Sequence, residues 1–109
     1  MLTDTHCHLD LDKFDEDRDA VLQRALDAGL TRILIPTLDY ESSLAGIKLA
    51  NSHPNIFVAV GFHPTNLDKW EESSVENLRE LILPHLNSSP AGRGLRMRVR
   101  MVWQIYVVW

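Results

Sequence analysis

Apolar and polar positions along the chain follow two rhythms. Short continuous apolar runs at 31–37 (TRILIPT) and 55–61 (NIFVAVG) stand between longer stretches whose apolar residues recur at helical spacing. This is the pattern of strands joined by helices around a parallel sheet. Val21, Leu22, Ala25 and Leu26 mark one helical face, and Asp15 to Asp19 fill a first turn where negative charge suits the free N–H groups. Gly29 can take the left-handed conformation that closes a helix, so the spacing predicts a helix over Asp15–Ala28. Thr31–Thr37 reads as a strand buried on both faces through Ile33, Leu34 and Ile35, with Pro36 ending its ladder bonding. A second helix is expected over Glu41–Ser52 from Leu44, Ile47 and Leu49, with Gly46 inside it and Pro54 beyond. Asn55–Gly61 gives a third strand. Ser73–Leu86 gives a third helix, opening on a Ser73-x-x-Glu76 capping box and carrying Val75, Leu78, Leu81 and Ile82 on one face.

At the N-terminus, Leu2–His8 reads as a first strand, which places His6 and His8 on one face and Thr5 and Cys7 on the other. Two imidazoles two residues apart on a strand can reach one ion, a donor set that suits Zn²⁺, Mn²⁺ or Fe²⁺. Asp4 fits two roles equally: bracing a ligand imidazole from behind, or capping the backbone. Phe62-His63-Pro64 follows the third apolar run, at the strand end where α/β folds place their chemistry. Cys7, opposite the histidines, reads as a small buried residue, not a thiolate. The acids from Asp10 to Asp19 lack the glycine and terminal glutamate of an EF-hand loop and read as a solvated helix start. His53 and His85, each beside a proline, belong to helix ends remote from the catalytic rim.

With 109 residues the chain has room for one domain at most. A net charge of −4 argues against binding nucleic acid by bulk attraction to phosphate, although a phosphate-cleaving enzyme can be acidic when metal ions supply the positive charge. The single cysteine allows no intramolecular disulfide and fits the cytoplasm. No secretory leader pattern and no membrane-length apolar stretch is present, so no membrane partner is expected. The charge is unevenly spread. Residues 1–90 hold fifteen acids against seven Lys and Arg, whereas 91–109 hold four Arg, no acid and an aromatic, β-branched run with Trp103, Tyr106 and Trp109. The chain therefore divides at about residue 90 into an α/β part and a basic, aromatic tail.

The segments DTHCHLD at 4–10, FDEDRDAVLQRALDAG at 14–29 and VAVGFHP at 58–64 resemble, in order and spacing, the TatD family of metal-dependent hydrolases, within the wider amidohydrolase-like barrels. The resemblance covers about residues 1–90. It implies an incomplete TIM-type (β/α) barrel of about three N-terminal βα units followed by a non-family tail. It also implies deoxyribonuclease or related phosphodiesterase activity on DNA, and two divalent ions, Zn, Mn or Mg, in a full-length member. His6 and His8 match the strand-one metal ligands. His63 matches a histidine at the end of strand three that meets substrate phosphate or a water, and no residue is assigned as the catalytic base.

The family continues with a strand carrying a Gly-Glu-x-Gly-Leu-Asp pattern, later histidine ligands and a strand-eight aspartate. This chain has no Asp or Glu after Glu80. Three units cannot close an eight-stranded barrel, so the chain is expected to be a marginally stable, inactive or weakly active fragment, open to self-association along its sheet edge. A change of reading frame near Pro90 would produce such a tail. If the tail is native, its arginines and aromatics would suit a non-catalytic module that contacts nucleic acid. An amidohydrolase-like C–N or ester hydrolase is a further alternative, because the His-x-His strand is common to the wider barrel group.

Overall fold

A computed structural model of the chain describes residues 1–86. The division at residue 90, the tail's roles and the side chain of His85 lie outside what is described. The elements are β1 (Leu2–Asp4), α1 (Arg18–Asp27), β2 (Leu30–Pro36), α2 (Tyr40–Ser52), β3 (Ile56–Ala59) and α3 (Ser74–Leu86), with short 3₁₀ turns at Asp12–Phe14 and Pro64–Lys69. The strands form one parallel sheet in the order β1-β2-β3, with α1 against β2, α2 against β3 and α3 against α2. These are three successive βα units, the α/β architecture expected.

Burial explains why β2 is central. Ile33 and Ile35, 2% and 0% exposed, pack on the helix side with Leu9, Leu22, Ala50 and Ile56. Fully burying a side chain of this size contributes about 1.5–3 kcal/mol, and these residues are the strand's principal anchor. The intervening Leu34 and Pro36, in register with Phe57 and Ala59, are only half-buried. Burial on both faces, expected from the apolar run, is therefore not met, because the described helices that pack on this strand cover the Ile33 side.

Pro36 does not end the ladder. The N–H groups of Ile33 and Thr37 donate to the Asn55 and Ala59 carbonyls, both at 2.9 Å, so alternation turns the Pro36 nitrogen toward the β1 side, where β1 has already stopped.

Helix starts shift for identifiable reasons. α1 begins at Arg18 and not at Asp15, because Arg18 reaches back and straps the acidic loop. Its Nε donates to the Leu9 carbonyl at 2.7 Å, and its Nη2 to the Leu11 carbonyl at 3.0 Å and Asp15 Oδ1 at 2.7 Å. The helix closes as expected on Gly29, at φ 99°. The capping box expected at Ser73 and Glu76 does not form: Glu76 pairs with Arg79 at 2.7 Å, and Ser74 Oγ accepts from the Glu71 N–H at 2.8 Å. A capping box occurs instead at α2, where Asp39 and Ser42 satisfy each other's backbone N–H groups.

Candidate metal centre and the rim around it

β1 is shorter than Leu2–His8 because Asp4 Oδ1 accepts from the His6 backbone N–H at 3.0 Å and bends the chain at Thr5–His6. The segment still follows β2, with the Cys7 N–H donating to the Leu34 carbonyl at 3.1 Å. Cys7 and Leu9 turn into the core cluster, while His6 stays exposed and His8 half-buried. The two imidazoles meet edge to face, centroids 5.1 Å apart and planes at 81°. The histidines are thus brought together as predicted, by a bent loop and not by a continuous strand. Cys7 is half-buried, less than the full burial expected, and this partial burial, reinforced by the nearby Asp4 charge, pushes its thiol up.

Beneath this pair the polar accounting fails. The Asp10 side chain is 2% exposed, and its Oδ1 lies 3.8 Å from His8 Nδ1, too far for a hydrogen bond. Among the described residues these two are the buried side-chain polar atoms without a partner. Each such atom costs about 1–3 kcal/mol. Metal-bound histidines commonly direct the second ring nitrogen at a carboxylate, so a cation on His8 Nε2 fits a site with Nδ1 beside Asp10. The fit is partial: among the described residues no three His, Cys, Asp or Glu side chains converge as a metal site. What is present is a pair of imidazoles whose nitrogen donors would suit a borderline divalent ion.

Asp4 makes its hydrogen bond to backbone; the carboxylate beside a ring is Asp10, which the sequence reading left in the solvated acidic run. The signal was available, since the two-residue spacing of His6 and His8 continues to Asp10.

His63 stands at the same end of the sheet, after β3. β2 lies between it and the His6–His8 segment, a separation of two strand spacings or roughly 10 Å. Its N–H donates to the Leu38 carbonyl at 2.8 Å, tying it to the loop after β2. It also caps the Pro64–Lys69 turn, with Nδ1 accepting from the Thr65 N–H at 3.2 Å and 2.7 Å from Thr65 Oγ1. Phe62 and Trp70 stack edge to face at 5.1 Å across the base of this turn. His53, by contrast, lies 3.4 Å from Asp19 at a helix end away from this rim.

Asp39 holds the turn in place. Its Oδ1 accepts from the Ser42 N–H at 2.9 Å, and its Oδ2 accepts from Lys69 Nζ at 2.8 Å and Asn66 Nδ2 at 3.3 Å. Burial is the largest single influence on this carboxyl and opposes its ionisation. The hydrogen bonds from Lys69, Ser42 and Asn66 together outweigh it and hold the carboxyl at about 2. Lys69 is raised in turn, chiefly by its hydrogen bond to Asp39. Asp39-x-x-Ser42 is a local sign of the α2 cap alone, and the contacts with Asn66 and Lys69 were not anticipated from sequence.

A parallel βα sheet with an imidazole pair after its first strand and a further histidine after its third gathers these side chains at the C-terminal strand ends, where α/β barrels carry their chemistry. The chain belongs to the TatD related DNase family, whose profile matches residues 3–91. It is 37% identical over 79 residues to the uncharacterized metal-dependent hydrolase YjjV of Escherichia coli K12, covering 72% of this chain and 30% of that protein. It is 32% identical over 78 residues to the 3'-5' ssDNA/RNA exonuclease TatD of Shigella flexneri, covering 72% of this chain and 30% of that protein. The crystal structure of the E. coli YjjV, a TatD homolog, superposes with a TM-score of 0.70 at 35% identity, over 76% of this chain and 32% of that one. The chain thus corresponds to part of the TatD barrel and spans about a third of the length of these relatives. Among the described residues no helix is long and apolar enough to cross a membrane.

Proposed function

We propose that this chain carries the strand-one part of a divalent-metal site serving phosphodiester hydrolysis, with single-stranded DNA or RNA as the substrate class. The observation that carries this reading is the His6–His8 pair, 5.1 Å apart, above the unpartnered His8 Nδ1 and Asp10 Oδ1. His6 and His8 hold the ion through ring nitrogens, Asp4 fixes the bend that presents them, and Asp10 orients His8. When bound, an ion of the Zn, Mn or Mg class polarises a phosphoryl oxygen and lowers the pKa of a bound water, and a complete site of this family takes two such ions. His63 meets a substrate phosphate across the rim. Residues 1–90 supply this chemistry in a cytoplasmic setting, and 91–109 take no part in it.

With two imidazoles and no third donor among the described residues, hydrolysis by this chain is expected to be weak or absent beside that of the E. coli relative assayed in parallel. The test is degradation of a single-stranded oligonucleotide with Mn²⁺. Any cleavage should stop in chelator and in His6→Ala/His8→Ala, and cleavage that survives either would contradict the assignment.

A further inference from the structure

The role of His63 depends on which ring nitrogen carries the proton, and the geometry around Nδ1 decides between two arrangements. In one, Nδ1–H donates to Thr65 Oγ1 at 2.7 Å, and the hydroxyl passes its hydrogen to Asn66 Oδ1 at 3.0 Å. Nε2 is then a bare lone pair, suited to an ion. In the other, Nδ1 is the acceptor, taking the Thr65 backbone N–H at 3.2 Å and the hydroxyl hydrogen at 2.7 Å.

The donors differ in freedom. A threonine hydroxyl rotates to whichever acceptor is offered, whereas a backbone N–H is fixed by the chain and can only donate. The Thr65 N–H points at Nδ1, so a proton there would set two hydrogens against each other. Relieving that would require the exposed ring to swing away and give up its cap on the turn. The turn is braced: Pro64 sets its first residue, the His63 N–H is tied to Leu38, and Asn66 and Lys69 are hydrogen-bonded to Asp39.

We infer that His63 is held as the Nε2–H tautomer by its own capping role, and therefore serves as a neutral hydrogen-bond donor to a phosphate oxygen and not as a metal ligand. This deepens the phosphodiester reading above and rests on it for the identity of the anion. Thr65 is a positioning residue through its backbone, and its hydroxyl is dispensable for the tautomer.

The test is long-range ¹H–¹⁵N spectroscopy of the imidazoles in the intact chain at about pH 8.5, some two units above the ordinary histidine value. His63 should show a protonated Nε2 and an unprotonated Nδ1, unchanged in Thr65→Val. Inorganic phosphate should move the His63 Nε2 signal, and Zn²⁺ alone should leave it in place. A protonated Nδ1 that disappears in Thr65→Val would overturn the inference. So would Zn²⁺ coordination at His63 Nε2, or a phosphate titration that leaves that nitrogen unmoved. Failure of the metal reading shows separately, as His6 and His8 signals indifferent to Zn²⁺.

Discussion

Replacing Asp39 with alanine removes one buried carboxylate and, with it, the cap of α2 and the anchor of the Pro64–Lys69 turn. Two routes give the size of the effect. A carboxyl held at about 2 against an ordinary 3.8 corresponds to roughly 2 kcal/mol of folding free energy at neutral pH, at about 1.4 kcal/mol per tenfold change in acidity. Loss of an N-cap costs about 1 kcal/mol. The ion pair with Lys69, whose side chain is 51% exposed and so partly screened, adds up to about 1 kcal/mol. The routes agree at about 2 kcal/mol, a large share of the stability of a small domain. Asp39→Asn keeps the cap oxygen but turns an NH2 toward two donors, Lys69 Nζ and Asn66 Nδ2, so it loses the charge pairing and both of those hydrogen bonds, and at least about half of this is expected.

The folded-state value is depressed, so this contribution is fully present above pH 3.8 and is lost as pH falls through about 2. Urea unfolding followed by circular dichroism should show a gap between wild type and Asp39→Ala that is constant near neutrality and closes in acid. A neutral-pH gap under about 0.5 kcal/mol, within the scatter of ordinary surface substitutions, would refute the reasoning. A gap undiminished at pH 2 would refute it as well.

Ile35→Ala should cost about 2–5 kcal/mol, because the side chain is wholly buried. Leu34→Ala, on the half-buried face, should cost less than half as much, and equal losses in denaturant midpoint would contradict the one-sided core. Gly29→Ala should cost about 1–2 kcal/mol from backbone strain alone, since φ is 99° and the nearest atom to the new Cβ is Leu2 Cδ1 at 3.9 Å. A thermal melt unchanged by that substitution would argue against the left-handed cap. Cys7 should react with iodoacetamide more slowly than free cysteine at mildly alkaline pH, because burial raises its thiol. Reaction at the free rate would show the thiol is not held in the core.

The parts of this fold legible in sequence are those decided by local pattern: the Ile33-Leu34-Ile35 run, the α1 periodicity closed by Gly29, and His6 and His8 at two-residue spacing. The shifted element starts and ends share one cause, which is competition for backbone hydrogen bonds by side chains ambiguous in sequence. Asp4 takes the His6 N–H and ends β1 early, and Arg18 takes two loop carbonyls and delays α1. Glu76 turns to Arg79, and Ser74 takes the Glu71 N–H, so the box expected at Ser73 and Glu76 stays unformed. Asp10 escaped notice because a carboxylate amid five other acids between 12 and 19 reads as solvated, and only the fold buries it to 2% beside His8. Likewise, no local pattern links Asp39 to Asn66 and Lys69 across 27 and 30 residues.

The central claim, that His6 and His8 form the half-site of a divalent ion, is tested most directly by calorimetric titration of Zn²⁺ into the intact chain and into His6→Ala/His8→Ala. The account predicts a saturable binding heat in the wild type, weakened in Asp10→Ala and absent in the double variant. Equal Zn²⁺ binding by wild type and double variant, or none by either, would contradict it.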